Sequence, residues 1–240
     1  MEQVGLAAID AGALRLAASI VAAVKSQFPD SRRAGRLAAA FLEAVGEAEG
    51  AEAEVDAGLA AAPDAALLLK RRIGGLRSAG KHAEALNALR TYCDTFQADG
   101  DAWGALREAY TEAGRPGPAA FCAEEGVLHA PACAASHVAA GDAHYTAGSH
   151  ASAARHYEAA VALSGGDSVR ALYGVCAAAT AAATAAGKKK GGEGDEGTVT
   201  TAAPLNEVPD LAADLLLRRY REEAPPGLVP FVEACLAGMR

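Results

Sequence analysis

Glycine recurs at an interval of 34 residues along most of this chain. Counted in this frame, it stands at Gly12, Gly46, Gly80, Gly114 and Gly148, and alanine follows five residues later each time, at Ala17, Ala51, Ala85, Ala119 and Ala153. Five glycines in one preset frame have a chance probability on the order of 10⁻⁵. The chain is therefore predicted to fold as an array of similar units, each stacked on its neighbours.

A 34-residue period is typical of the tetratricopeptide repeat, a helix-turn-helix unit. Other positions of the frame agree with this assignment. Proline ends three of the repeats, and large or small apolar residues occupy the expected helix positions: Pro29, Pro63, Pro131, Trp103, Leu106, Tyr110, Gly141 and Tyr157. The predicted fold class is all-α, a right-handed tetratricopeptide superhelix (α-solenoid) with capping helices at its C-terminal end.

The recurring glycine and alanine each have a physical role in this fold. Glycine allows a backbone with positive φ at the turn, where one helix ends and the next begins within about three residues. Alanine on the second helix lets two helix axes approach closely, because a larger side chain would hold them apart. These ten positions are predicted to be the structural markers of the array.

The domain organisation follows from where the pattern stops. Residues 1–186 are predicted to form about five repeats and a degenerate sixth first helix. Residues 187–208 combine glycine with mixed charges and bury too little apolar surface to order themselves, so a disordered loop is predicted there. Helical periodicity returns in residues 209–240, which are expected to form the capping helices.

Charge and composition exclude several classes of protein. A net charge of −8 and an isoelectric point near 5.3 argue against a nucleic-acid partner, whose phosphates require a basic surface. The longest uncharged run, residues 171–187, consists largely of alanine and is too weakly apolar to span a bilayer. The N-terminus lacks the basic segment of a secretory signal. Five cysteines without a CxxC pair favour a reducing compartment. We expect a soluble cytosolic protein without a cleaved leader.

No catalytic, cofactor-binding or metal site is predicted from the residue pattern. Four histidines fall on two neighbouring predicted helices: His137, His144, His150 and His156. No carboxylate or cysteine completes a zinc-binding spacing with them, so they are interpreted as packing or surface residues. Cys122 precedes Glu124 and Glu125, whose negative charges would raise its thiol pKa, and it is interpreted as a small buried residue.

Binding is the more plausible activity, because the first helices of such an array line a concave groove. The frame places these charged residues on the groove side: Arg33, Arg36, Lys70, Arg77, Glu108 and Asp142. The groove would then change from basic to acidic along the array; the alternative is a set of solvated polar faces. Tetratricopeptide co-chaperones bind a C-terminal carboxylate through a lysine and asparagine four residues apart, but here Lys70 is followed by Gly74, and the later clamp positions are alanines. The carboxylate clamp is absent.

Several segments resemble one family, the ER membrane protein complex subunit 2. They are EQVGLAAIDAG at 2–12, QFPDSRRAGRL at 27–37, KRRI at 70–73, DAW at 101–103, AAFCAEE at 119–125 and RALYG at 170–174. The segments occur in the family's order with nearly its spacing, over about residues 2–180. AAFCAEE and QFPDS are the more specific of them.

The resemblance implies a non-catalytic scaffold at the cytosolic side of an ER insertase, which places transmembrane segments, including tail anchors, in the bilayer without nucleotide hydrolysis. Its partners would be membrane-embedded subunits and another soluble cytosolic subunit. The protein would then lie peripherally on the cytosolic face of the ER membrane. A cytosolic tetratricopeptide adaptor of an unrelated assembly is the alternative interpretation, and an enzyme is a more distant one.

Overall fold

The structure is a computed structural model that describes residues 1–189, 208–225 and 227–238. These residues form thirteen α-helices and no β-strand. The helices are α1 (Glu2–Asp10), α2 (Leu14–Gln27), α3 (Arg32–Val45), α4 (Ala48–Ala61), α5 (Ala66–Ser78), α6 (His82–Thr95), α7 (Gly100–Glu112), α8 (Pro116–His129), α9 (Ala134–Thr146), α10 (His150–Leu163), α11 (Val169–Lys189), α12 (Val208–Glu223) and α13 (Val229–Ala237). The predicted all-α fold class is confirmed.

The first ten helices form five pairs that follow the 34-residue frame. The second helices of the pairs begin at Leu14, Ala48, His82, Pro116 and His150, and the first helices of pairs two to five begin at Arg32, Ala66, Gly100 and Ala134. Each of these starts lies 34 residues after the one before it. Since each helix begins at the same place in its repeat, the local sequence sets the helix boundaries.

The first helix of every pair ends at a glycine whose backbone adopts the left-handed conformation. Gly12, Gly46, Gly80, Gly114 and Gly148 have φ between 66° and 90°. The residue after each glycine donates its amide to a carbonyl five positions earlier, as Lys81 does to Leu76 at 2.9 Å. This closure gives an otherwise unpaired helix-end carbonyl a partner, and an L side chain at the glycine would strain it.

The structure divides into two compact units, residues 1–97 and 98–240. In the first unit, Leu37 on α3 packs with Ala17, Ile20 and Val21 of α2, and a second cluster joins α3, α4 and α5. Alanine forms much of this core. Ala17, Ala51 and Ala85 of the repeat frame are all buried here, so the helix pairs of this unit are held by close backbone approach more than by large side chains.

In the second unit the core runs from the last helix pair into the C-terminal helices. Leu172 and Val175 on α11 lie in one cluster with apolar residues of α10, α12 and α13. Leu216 of α12 and Leu236 of α13 are 0% and 2% exposed. These two helices therefore cover the apolar face of α11, which would otherwise be exposed at the end of the array.

The loop predicted at 187–208 lies outside the described residues except at its two ends, which belong to α11 and α12. Among the described helices, none combines the length and apolar character needed to cross a bilayer.

Enlarging a buried alanine of the repeat frame tests the repeat register. Ala119→Leu and Ala153→Leu are each expected to destabilise the fold by roughly 1–3 kcal/mol, because overpacking forces the helices apart. Ala119 and Ala153 are 1% and 0% exposed. Urea unfolding followed by circular dichroism measures the effect, and Ala83→Leu on the exposed face of α6 serves as the control. Equal stability of all three variants would contradict the register.

Candidate functional site

The basic residues Arg33 and Arg36 of the first unit contact a neighbouring first helix. The Nε atom of Arg33 and the Nη2 atom of Arg36 lie 2.5 and 2.9 Å from the carboxylate oxygens of Glu2 on α1. These hydrogen bonds to Arg33 and Arg36 hold the pKa of Glu2 below its usual value. The two arginines therefore join α3 to α1, and their groove-facing position stays a prediction.

The next basic pair of the predicted groove lies on α5. The ammonium of Lys70 is 5.7 Å from the centre of the Tyr92 ring, a distance typical of a cation–π contact. Lys70 is exposed, whereas Arg77 is half-buried. Between them, Arg71 donates from Nη1 to a carboxylate oxygen of Glu43 on α3 at 2.6 Å. A salt bridge thus links α3 and α5, as another links α1 and α3.

The acidic residues of the predicted groove belong to the second unit. Asp142 accepts hydrogen bonds from the Tyr157 hydroxyl at 2.7 Å and from the Arg170 Nη2 at 2.6 Å. Burial, and then the hydrogen bond to Asp142, raise the pKa of Tyr157. Glu108 is exposed and lies 3.4 Å from the adjacent Arg107. Asp142 therefore joins three helices, and Glu108 is the more accessible of the two carboxylates.

A cavity of about 730 Å³ opens in the first unit between α3, α4 and α5. A Cβ at either Gly74 or Gly75 on α5 would meet no neighbouring atom within 4 Å. Because this stretch of α5 carries no side chains, it leaves a gap in the wall of the unit. Volumes of this size suit a ligand or the side chains of a bound segment.

Both apolar and basic residues line the cavity. Leu67 is 61% exposed although it lies at the wall. The basic residues at the cavity are Lys70, Arg71, Arg72 and Lys81, and the acidic ones are Glu43 and Glu52. An apolar floor with an excess of positive charge favours a partner segment that carries apolar side chains beside carboxylates. Of the six predicted groove residues, the structure places Lys70 at this cavity.

The histidines of the fifth helix pair have a carboxylate neighbour that sequence spacing did not reveal. Glu124 on α8 places its Oε1 atom 2.8 Å from Nε2 of His144 on α9, and His156 on α10 lies beside them. Burial, followed by the positive charges of His144 and His137 when protonated, lowers the pKa of His156. Sequence spacing gave no sign of Glu124, because it approaches from a different helix.

The thiol of Cys122 is buried, as its sequence context indicated. Its side chain is among the largest fully buried ones, and burial raises its pKa to about 11, with Glu125 contributing second. At neutral pH this cysteine is a neutral thiol, which neither attacks a substrate nor binds a metal readily.

Comparison with known proteins supports the repeat assignment. The family model described as the EMC2 TPR-like repeat domain matches residues 16–158, more than half of the chain. The ER membrane protein complex subunit 2 of Xenopus tropicalis is 35% identical over 130 residues, which are 54% of this chain and 44% of that protein. The TPR repeat protein oca3 of Schizosaccharomyces pombe is 32% identical over the same length and matches along 46% of its own. The match thus spans less than half the length of these curated relatives.

Solved structures show the same fold at low sequence identity. Pseudomonas aeruginosa pilF superposes with a TM-score of 0.56 at 16% identity and covers 97% of this chain and 95% of its own. A crystal structure of MamA gives a TM-score of 0.58 at 16% identity, over 80% of this chain and 93% of MamA. These matches concern the fold alone. Together with the family match, they confirm the tetratricopeptide α-solenoid predicted from the 34-residue frame.

Proposed function

This chain belongs to the family of the EMC2 TPR-like repeat domain, and from that membership we propose that it is a non-catalytic scaffold subunit of an ER membrane protein complex. The family match over residues 16–158 is the observation that carries the proposal. A repeat array offers an extended surface on which several partners can be held at once. The scaffold would assemble with membrane-embedded subunits and with a second soluble subunit, peripherally at the cytosolic face of the ER membrane.

In this role the protein supports the insertion of transmembrane segments, including those of tail-anchored proteins, without hydrolysing a nucleotide. It contributes by positioning its partners and not by a reaction of its own. The cavity of the first unit is a suitable contact surface, since the exposed residues Leu67, Lys70 and Lys81 all line it. An acidic segment with apolar side chains would fit such a surface.

Reversing the charge at the cavity is expected to weaken the assembly. In the variant Lys70→Glu/Lys81→Glu, the association rate with membrane subunits should fall by about tenfold, because rim charges act mainly on the encounter of the partners. The loss should be larger at low salt, where charges are less screened. Both side chains are exposed, so circular dichroism should show an unchanged helical fold. The amount of membrane subunits that the variant recovers from detergent-solubilised ER membranes, compared with wild type after the same short incubation, measures the slower association.

A matched control keeps the same change in net charge away from the cavity. Arg15 and Arg90 are exposed residues of α2 and α6 in the same unit and do not line the cavity. The variant Arg15→Glu/Arg90→Glu should recover the same amount of membrane subunits as the wild-type protein. Equal recovery with both double variants would show that the partners use another surface. Wild-type protein that recovers no membrane subunit at all would refute the complex itself and favour an adaptor of an unrelated assembly.

A further inference from the structure

Three consecutive helices of the second unit bring a carboxylate and two imidazoles together. Glu124 is on α8, His144 on α9 and His156 on α10. One ligand atom from each of them lies within 4.8 Å of the other two. Nothing in the proposed scaffold function uses these three residues.

His144 is the buried member of the cluster, with 8% of its surface exposed. Neither of its ring nitrogens has a hydrogen-bond partner, although its Nε2 atom lies 2.8 Å from Oε1 of Glu124. The contact is therefore close but not aligned as a hydrogen bond. Buried polar atoms without partners are uncommon in folded proteins and require an explanation. A cation bound between the carboxylate and the ring would supply a partner for Nε2, the nitrogen that faces Glu124.

A third histidine, His137, orients His156. The Nε2 atom of His137 lies 3.0 Å from the carbonyl oxygen of Pro131, which can only accept, so Nε2 of His137 carries the proton. The Nδ1 atom of His137 is then an acceptor, and it lies 3.4 Å from Nδ1 of His156. Consequently Nδ1 of His156 donates and its Nε2 atom keeps a free lone pair. Metal-binding histidines are commonly fixed in this way by a hydrogen bond from the other ring nitrogen.

We propose that Glu124, His144 and His156 bind a divalent zinc ion. Two imidazoles and one carboxylate are ligands that zinc accepts, with water in the fourth position. Neighbouring ligand atoms of tetrahedral zinc are about 3.3 Å apart, from bonds of about 2.0–2.1 Å. Oε1 of Glu124 and Nε2 of His144, at 2.8 Å, are closer than this, whereas no two ligand atoms of the cluster are more than 4.8 Å apart. Zinc binding therefore requires small rotations of these side chains, and that of Glu124, which is 52% exposed, can turn without disturbing the core.

Zinc at this place would tie together the second helix of the fourth pair and both helices of the fifth. Because a metal that binds only the folded form shifts the unfolding equilibrium, it would raise the melting temperature of the second unit. The solitary tryptophan, Trp103, lies in the same unit, and its fluorescence reports the unfolding of that unit.

Titration of the metal-free full chain with Zn²⁺ tests the proposal. Exposed Cys133 and Cys235 could also bind zinc, so the protein should carry Cys133→Ser and Cys235→Ser throughout. We expect one zinc ion per chain by calorimetry, a higher melting temperature by Trp103 fluorescence, and the visible absorption of tetrahedral cobalt when Co²⁺ replaces zinc.

Variants identify the ligands. Glu124→Gln and His156→Gln should each weaken zinc binding by about 100-fold or more, and loss of the orienting residue in His137→Phe should weaken it by roughly 10–100-fold. His82→Gln, at an exposed position of the first unit, is the control and should bind zinc unchanged. Glu124→Gln is nearly isosteric at a half-exposed side chain, so its fold should be retained. The proposal is overturned if zinc leaves the melting temperature unchanged, or if Glu124→Gln binds it as tightly as His82→Gln.

Discussion

Replacing Tyr157 with alanine is expected to destabilise the second unit by about 3–5 kcal/mol, the usual cost of removing a buried aromatic ring. Tyr157 on α10 is 4% exposed and packs between two helices. A Cβ at Gly141 on α9 or at Gly174 on α11 would lie only 2.7 and 2.5 Å from its ring. The ring therefore fills the space that both glycines leave, and Tyr157→Ala empties it while removing the hydroxyl bonded to Asp142.

Adding a methyl group at one of these glycines tests the same contact from the other side. Gly174→Ala should destabilise the fold by roughly 1–3 kcal/mol, since the added methyl group meets a rigid ring whose hydroxyl is held by Asp142. This range is the net loss, after the gain of about 1 kcal/mol that alanine gives over glycine inside a helix. Gly104→Ala on α7 is the control, because a Cβ there meets nothing within 4 Å, and it should stabilise the protein.

Urea unfolding followed by Trp103 fluorescence compares these variants within one unit. In a Tyr157→Leu background, whose side chain is flexible, the cost of Gly174→Ala should largely disappear. If Gly174→Ala and Gly104→Ala stabilise the protein alike, the close contact between Tyr157 and α11 does not exist in solution.

Helix boundaries in the array could be predicted from sequence because each repeat sets its own turn. Gly80 adopts a positive φ, as do the other four glycines of the frame. Pro63 stands two residues after the last residue of α4. Both effects are local, so a frame of 34 residues is enough to place them. The frame also predicts where the two helices of a repeat pack closely, and Ala153, a frame alanine, is fully buried as expected.

The contacts of charged side chains could be predicted only in part. Arg36 and Glu2 hold the same position in consecutive repeats, and residues at the same position of stacked repeats lie side by side. Their salt bridge therefore agrees with the 34-residue frame. The pair of Asp142 and Arg170, by contrast, joins different positions of two repeats. Whether such residues face a partner or each other depends on helix rotation by a few tens of degrees, which a repeat pattern does not specify.

The cavity and the histidine cluster required the folded chain. In the sequence, Gly74 and Gly75 are only positions of low helix propensity. The cavity that they line also requires α3 and α4, whose placement the sequence pattern does not give. Glu124 precedes His144 by twenty residues, and its proximity arises because α8 packs against α9. Spacing rules for zinc ligands rest on pairs of ligands a few residues apart, whereas here each of three helices contributes a single ligand.

In the first unit, two leucines on successive first helices are expected to separate stability from partner binding. Leu37 on α3 is 1% exposed and lies in the core with Ile20, whereas Leu67 on α5 is 61% exposed at the cavity. Leu37→Ala should therefore lower the free energy of unfolding by about 2–5 kcal/mol, as removal of a buried leucine side chain generally does. Leu67→Ala should change it by no more than about 0.5 kcal/mol, because an exposed side chain loses little on truncation.

Partner binding should show the reverse order when both variants are compared at a temperature where each is folded. Leu67→Ala removes apolar surface from the proposed contact and should reduce the recovery of membrane subunits, whereas folded Leu37→Ala keeps that surface. Urea unfolding by circular dichroism and recovery from solubilised membranes give the two measurements. Undiminished recovery with Leu67→Ala would exclude the cavity as the contact surface. An unchanged unfolding free energy for Leu37→Ala would contradict the packing of α3 on α2, and with it the register on which the cavity itself depends.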